Sequence, residues 1–132
     1  VALTTAIELG IRRAIPLNVA GAFHSPLMAS ARKPLQDIIN SVNFQDAKVP
    51  IYQNIVAKAM TDTKNIRQNI LNQLENPVLW SDTIVKMVQN GITEFIEVGP
   101  GKVLNGLNRR INKEIITYNI DKMEHFDACT ML

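Results

Sequence analysis

The sequence predicts an α/β fold with some parallel strand pairing. Short runs rich in Ile and Val alternate with longer segments whose apolar residues recur at helical spacing. Strands that alternate with helices are typical of sheets containing parallel pairs. The chain has 132 residues, of which 46% are hydrophobic, and this is enough to bury the core of one compact domain.

Turn and capping signals between these segments give the element boundaries. Residues 2–9 are expected to form a helix, and Ser25 and Pro26 provide the N-cap and first position of a second helix. Pro34 is expected to split that second helix near Lys33. In chain order, the remaining elements are a strand over 14–19, a loop over 20–24, a strand over 49–56, a helix over 61–74, a helix from Ser81 or Asp82 to about Asn90, a strand over 94–98, a helix over 102–112, a strand over 115–120 and a polar tail over 121–132.

Helical spacing also predicts which side chains are buried. The second helix is expected to bury one set of apolar residues: Leu27, Met28, Ala31, Leu35, Ile38, Ile39 and Val42. The helix over 61–74 is expected to bury another: Ile66, Ile70, Leu71 and Leu74. Trp80 is interpreted as an anchor between two helices rather than as a ligand contact.

Charge and cysteine content exclude several classes of protein. A net charge of +2 is too small to indicate a nucleic acid or a membrane surface as a partner. The single Cys129 excludes an intramolecular disulfide framework and a multi-cysteine zinc site. No apolar run approaches the ~18 residues of a membrane span. Position 1 is Val, inside an apolar stretch without a signal-peptide pattern, so we interpret the chain as a processed product or a fragment.

His24 is the residue that most strongly suggests chemistry. It lies in a predicted loop between the end of a strand and the start of a helix, where ligand sites of α/β folds concentrate. A neutral imidazole can take a proton from a nucleophile. Position alone still favours a structural histidine, so His24 needs support from a wider pattern.

The remaining polar clusters favour ordinary structural interpretations. Residues 97–102 (EVGPGK) match neither the P-loop nor the G-x-G-x-x-G spacing, so a tight strand-to-helix connection is favoured over a phosphate site. Four side chains of the predicted tail could ligate a metal, namely Glu124, His125, Asp127 and Cys129. They have no supporting ligand pair elsewhere, and no metal site is predicted there. The basic residues at 102, 109, 110 and 113 suit a solvated helix end, with docking of an acidic partner as the alternative.

Four segments together resemble one family, the malonyl-CoA:acyl carrier protein transacylases. Residues 16–28 (PLNVAGAFHSPLM) resemble its histidine motif, and residues 49–56 (VPIYQNIV) resemble the strand that follows. Residues 73–80 are similar to its QL-x-x-PV-x-W segment, and residues 97–107 to its EVGPGKVL-x-GL signature. The segments occur in the family's order and extend over most of the chain.

The resemblance implies the C-terminal part of an α/β-hydrolase-like acyltransferase domain. Residues 1–19 would be the last helix and strand of an inserted ferredoxin-like subdomain. Residues 20–120 would belong to the large domain, and residues 121–132 would be a tail. The implied location is the cytoplasm, or the stroma of a plastid or other organelle.

The resemblance also implies a ping-pong reaction in fatty-acid synthesis. Malonyl would pass from coenzyme A to a serine and then to the phosphopantetheine thiol of acyl carrier protein, with no resident cofactor or metal. His24 matches the catalytic histidine, and Gln73 matches the residue whose backbone carbonyl orients that ring. Phe23 and Asn54 would contact the substrate, Phe23 by restricting the space for a branched acyl group.

The sequence departs from the family in one respect. No G-x-S-x-G elbow occurs in it, so the nucleophile, the arginine for the malonyl carboxylate and the oxyanion donors would lie in a missing N-terminal part. The chain alone is therefore expected to be inactive. Two alternatives stay open: a non-catalytic docking module for acyl carrier protein, and a part of the acyltransferase domain of a larger synthase.

Overall fold

The computed structural model describes residues 2–15 and 21–129 and confirms an α/β fold. A 3-10 helix, Pro26–Ala31, follows the first gap in the described residues. The other elements are α1 Ala2–Glu8, α2 Arg32–Ser41, β1 Ile51–Gln53, β2 Lys58–Met60, α3 Thr63–Gln73, α4 Trp80–Gln89, β3 Glu94–Val98, α5 Val103–Ile111, β4 Ile116–Ile120 and α6 Glu124–Cys129.

Two small sheets carry the described strands. β1 and β2 form an antiparallel hairpin, whereas β3 and β4 pair in parallel from Glu94↔Ile116 to Val98↔Ile120. Helix α5 connects the two parallel strands and packs against both, as parallel strands require a crossover. The predicted parallel pairing is therefore confirmed in this β3–α5–β4 unit.

The prediction of one strand over 49–56 is wrong. Only Ile51–Gln53 is a strand, and the chain then turns back into β2, which the sequence did not indicate. The carbonyl of Gln53 accepts hydrogen bonds from the amides of Val56 and Ala57, at 3.1 and 2.9 Å, and these bonds close the turn. Ala57 adopts a φ of 49°, a left-handed conformation that no local glycine signalled.

The strand predicted over residues 14–19 is not observed in the two of those residues that the structure describes. Ala14 and Ile15 lie outside any strand, and residues 16–19 lie outside the described residues. A helical stretch does begin after His24 as predicted, with the Ser25 hydroxyl accepting a hydrogen bond from the amide of Leu27.

The break in this helical stretch falls one residue before Lys33, at its change from 3-10 to α geometry. The amide of Arg32 still donates to Ala29, which is a 3-10 contact, and α2 begins at Arg32. Pro34 therefore occupies the first turn of α2, where an N–H group has no partner within the helix. The proline is accommodated there and does not divide the helix.

The predicted polar tail from residue 121 onward contains a helix that the sequence analysis did not predict. Helix α6 occupies residues 124–129 and packs against β4. Its first turn follows two short backbone contacts, from His125 to Lys122 and from Phe126 to Met123. A helix of 6 residues has fewer than two turns, too few for helical spacing to be recognised in the sequence.

The most buried large side chain among the described residues is Ile84 of α4, which is 1% exposed. Ile39, Ile66 and Leu71 are buried as predicted. The prediction is wrong for four exposed residues, since each helix buries only the side that faces its partner: Leu27, Ile38, Val42 and Ile70. The indole N–H of Trp80 donates to Asn108 Oδ1 at 3.0 Å, which confirms its predicted place between two helices. Buried apolar side chains are thus found on α2 and α3, which pack together, and on α4, which packs against α5.

One face of the β3–β4 pair is uncovered among the described residues. Ile96, Val98 and Ile116 share this face by strand alternation and register, and Val98 is 76% exposed. The opposite face carries Glu97, Asn119 and Thr117 toward α5. Parallel strands are ordinarily covered on both faces.

Helix α3 begins where local capping chemistry predicted. Asp62 is its N-cap and accepts hydrogen bonds from the amide of Asn65 at 2.8 Å and from its side chain. These bonds hold the pKa of Asp62 below its ordinary value.

No helix in the described part of the chain is both long and apolar enough to cross a bilayer. Among the side chains described, no three His, Cys, Asp or Glu residues lie together as a metal site.

Candidate active site

His24 lies in a tight turn immediately before the 3-10 helix. Its φ of 61° places it in the left-handed region, which is uncommon for a residue with a side chain. The hydroxyl of Ser25 donates to the carbonyl of Ala22 at 2.7 Å and closes the turn around it. Backbone strain of this kind concentrates at functional sites and persists only where neighbouring contacts impose it.

The ring of His24 contacts the end of helix α3. Its Nδ1 atom lies 2.8 Å from the backbone carbonyl oxygen of Gln73, a residue 49 positions away. Because a carbonyl oxygen only accepts, Nδ1 must carry the hydrogen, and Nε2 is left as the acceptor in the neutral ring. The side chain is exposed, so Nε2 can meet a group outside the described residues. The contact predicted for His24 and Gln73 is present.

Gln73 presents a carbonyl of unusual electrostatic character because it is the last residue of α3. The final carbonyls of a helix lack intrahelical partners and carry the negative end of the helix dipole. The same oxygen also accepts a long contact of 3.4 Å from the amide of Asn76. The helix end therefore offers the Nδ1–H group of His24 an acceptor of enhanced negative character.

Hydrogen bonds of its own side chain fix Gln73. Its Nε2 donates to the carbonyls of Asn76 and Pro77, at 2.9 and 3.1 Å. The side chain of Asn76 donates in turn to the carbonyl of Asn72 at 2.7 Å. The loop after α3 is thereby folded back on the helix end, and the acceptor for His24 is held in place.

The other two predicted site residues, Phe23 and Asn54, belong to different segments of the chain. Phe23 precedes His24, is 59% exposed and packs against Gly21, where a Cβ atom would lie 3.3 Å from the Phe23 ring. Asn54 lies in the β1–β2 turn, and its carbonyl accepts from the amide of Leu79 at 2.8 Å. Asn54 shares with Gln73 a cleft of about 310 Å³ that is lined by Tyr52, Gln53, Asn54, Asn69, Ile70 and Gln73.

Glu97 occupies the helix end that the sequence offered as a weak phosphate site. Its carboxylate accepts hydrogen bonds from the amides of Leu104 at 3.1 Å and Asn105 at 2.8 Å, in the first turn of α5. An acidic side chain therefore already satisfies the positive end of this helix. Gly99 and Gly101 have φ values of 138° and 90°, as a tight connection requires. The structural interpretation of this motif holds.

Sequence reasoning missed Arg32, the first residue of α2. Its guanidinium contacts the side chains of Asn72, in the last turn of α3, and Glu75, two residues beyond the end of that helix. These partners lie 40 and 43 residues away, so no local signal could have connected them.

Comparison with known proteins identifies relatives of this chain. The malonyl CoA-acyl carrier protein transacylase of Bacillus subtilis is 40% identical over 117 residues, which are 89% of this chain and 37% of the relative. That of Staphylococcus aureus is 39% identical over 89% of this chain and 38% of its own length. No family model matches the chain.

Solved structures agree with the sequence relatives. An acyl-carrier-protein S-malonyltransferase from Bartonella henselae superposes with a TM-score of 0.90 at 33% identity, over 98% of this chain and 41% of that one. The malonyl-CoA:acyl carrier protein transacylase from Xanthomonas oryzae gives 0.88 at 32% identity, over 97% and 41%. A malonyl-transacylase crystallised with a polyketide acyl-carrier protein gives 0.86 at 28% identity, over 98% and 42%.

These neighbours place the fold among the α/β acyltransferase domains. Within that class the chain is homologous to the malonyl-CoA:acyl carrier protein transacylases, so the resemblance drawn from its four motifs is confirmed. The chain spans 37–38% of the length of the curated relatives that it matches.

Proposed function

We propose that this chain supplies the histidine part of a malonyltransferase site, in which malonyl moves from coenzyme A to acyl carrier protein. The observation that carries the proposal is the 2.8 Å contact between His24 Nδ1 and the Gln73 carbonyl. It fixes the tautomer in which Nε2 accepts a proton. In a Ser-His-Asp triad the aspartate is the acceptor that orients the histidine ring. The carbonyl of Gln73 is proposed to take that place here.

In each half-reaction of the proposed mechanism, His24 accepts one proton and then donates it to the leaving group. Nε2 takes the proton of a serine hydroxyl as that oxygen bonds to the malonyl thioester carbon. When the carbon–sulfur bond breaks, the same proton passes to the thiolate of coenzyme A. In the second half-reaction Nε2 takes the proton of the pantetheine thiol, the new thioester forms, and the serine oxygen regains the proton on leaving.

Gln73 stabilises the imidazolium that exists between these transfers. Its carbonyl accepts the Nδ1 hydrogen and adds the negative end of the α3 dipole. A charged partner is unnecessary, since orientation and a favourable field are both supplied by the helix end. Phe23 and Asn54, beside the pair, are proposed to contact the acyl group and the thioester arm.

The serine must come from polypeptide outside these 132 residues, because the sequence contains no G-x-S-x-G elbow. The arginine for the malonyl carboxylate and the oxyanion donors are proposed to come from the same region. The uncovered apolar face of β3–β4 supports this proposal, since such a face calls for further α/β structure. We further propose the division into residues 1–19, 20–120 and 121–132, and a cytoplasmic or organellar stromal location.

The test is a complemented enzyme, a fusion in which this chain replaces the matched stretch of the Bacillus subtilis relative. We expect the complemented enzyme to transfer malonyl from malonyl-CoA to holo-acyl carrier protein, measured as release of coenzyme A. Residues 1–132 alone should release none above background, because they lack a nucleophile. Turnover by residues 1–132 alone contradicts the proposal. A folded but inactive fusion that still binds acyl carrier protein favours the docking module instead.

Phe23 should restrict the acyl group. In the complemented enzyme, Phe23→Ser is expected to raise the ratio of kcat/KM for methylmalonyl-CoA to that for malonyl-CoA about tenfold, since one methyl group in a pocket is worth about that factor. Phe126→Ser is the matched control, because this ring in α6 is similarly exposed. An unchanged ratio in the Phe23 variant means that another residue sets the selectivity.

A further inference from the structure

We infer that Arg32 is a positioning residue that holds the His24 ring against the Gln73 carbonyl. The inference rests on the proposed function, because it assigns Arg32 a part in the same proton transfer. The guanidinium of Arg32 hydrogen-bonds Asn72 and Glu75 rather than His24 or Gln73, so it acts through the segments that carry the catalytic pair.

The guanidinium of Arg32 bridges the last turn of α3 and the loop that follows it. Nη1 donates to Glu75 Oε1 and Nη2 donates to Asn72 Oδ1, both at 2.9 Å. The two acceptors lie on either side of Gln73 in sequence. The planar fork of arginine fits two acceptors at once, which gives the contact a defined geometry that a single ammonium cannot supply. The side chains of Arg32 and Glu75 are 37% and 22% exposed, so the pair is partly shielded from water.

Along the chain, Arg32 is joined to His24 by Ser25 and the 3-10 helix. Six residues of 3-10 helix separate Ser25 from Arg32, and the amide of Arg32 donates to Ala29 within that helix. Ser25 caps the same helix and closes the turn that holds His24. The histidine turn, the 3-10 helix and the first residue of α2 therefore form one continuous hydrogen-bonded segment.

Two contacts thus attach this segment to the end of α3. The His24–Gln73 contact lies at one end and the Arg32 fork at the other. Asn72 links them further, since its side chain receives Arg32 while its carbonyl receives Asn76, which is itself bonded to Gln73. Arg67 of α3 also holds α2 through the carbonyl of Ile39, but that contact lies seven residues beyond Arg32. Losing the fork removes the attachment nearer to the histidine turn, so the ring gains freedom to move away from the carbonyl.

Helix α2 offers a matched control in the next residue. Lys33 forms an ion pair with Asp37 one turn further along the same helix, and both side chains are well exposed. This pair does not reach α3. Its removal changes charge and helix stability without changing how the histidine segment is attached.

We test the inference in the complemented enzyme with Arg32→Met, Arg32→Lys and Lys33→Met. Arg32→Met is expected to lower kcat about tenfold with KM for malonyl-CoA unchanged, because small displacements of a catalytic group cost about this much or more. Arg32→Lys should have a kcat between those of the parent and Arg32→Met, since lysine keeps the charge but not both contacts. Lys33→Met should leave kcat unchanged. If Arg32→Met does not fold, the Lys variant decides alone.

A spectroscopic measurement separates positioning from general stability. In ¹⁵N-histidine-labelled protein, the His24 signal is expected to show only the Nδ1–H tautomer in the parent and a mixture of both tautomers in Arg32→Met. An unchanged tautomer and unchanged kcat overturn the inference, as does an effect on KM alone. An inactive parent refutes the proposed function, and the tautomer measurement still decides the role of Arg32.

Discussion

Replacing His24 by alanine in the complemented enzyme is expected to lower kcat/KM for malonyl transfer by about 10⁴-fold, the scale of losing a base that also activates the nucleophile. The physical reason is that Nε2 is the atom left free by the contact of Nδ1 with the Gln73 carbonyl. Without it, neither the serine nor the pantetheine thiol has a positioned base. Release of coenzyme A, followed over a range of malonyl-CoA concentrations, measures the loss.

The second histidine of the chain provides the control for this substitution. His125 lies in α6 with Nδ1 2.8 Å from Asp121 Oδ1, away from the end of α3. His125→Ala should leave kcat/KM within about twofold, since surface substitutions away from a site are usually small in effect. Retention of a tenth or more of the parental activity by His24→Ala would remove His24 from the proposed chemistry.

The largest effect on stability is expected at Ile84. Ile84→Ala should lower the free energy of unfolding by about 3 kcal/mol, because it removes buried methyl groups and leaves a cavity. The side chain is 1% exposed and belongs to α4, which packs against α5. Denaturation of the complemented enzyme in urea, monitored by circular dichroism, measures the change.

Its neighbour Val85 is the matched control. Val85 is also β-branched and lies on the same helix, but it is 42% exposed. Val85→Ala should cost well under 1 kcal/mol, because a half-exposed valine buries little of its apolar surface. Equal losses from the two variants would mean that the core does not lie between α4 and its neighbours as described.

Local chemistry was sufficient where one short segment carried the whole signal. Asp62 began α3 as a capping residue does, and β3 occupies the predicted residues, followed by a glycine-rich turn. The hairpin partner β2 was not predicted, because its three residues have neither alternation nor a turn motif before them. Short elements such as β2 and α6 are stabilised by the partner on which they pack, and that partner is not visible in their own residues.

The sequence by itself determined the class of fold and the family, and it predicted His24 and Gln73 as a contacting pair, because four ordered motifs carry that information residue by residue. Only the tertiary structure brought Nδ1 of His24 to the carbonyl at the end of α3. It also placed Arg32 across Asn72 and Glu75 and placed Glu97 on the first turn of α5. The reason is physical: a backbone carbonyl has no side-chain signature, and contacts across 40 or more residues depend on how helices pack rather than on local preference.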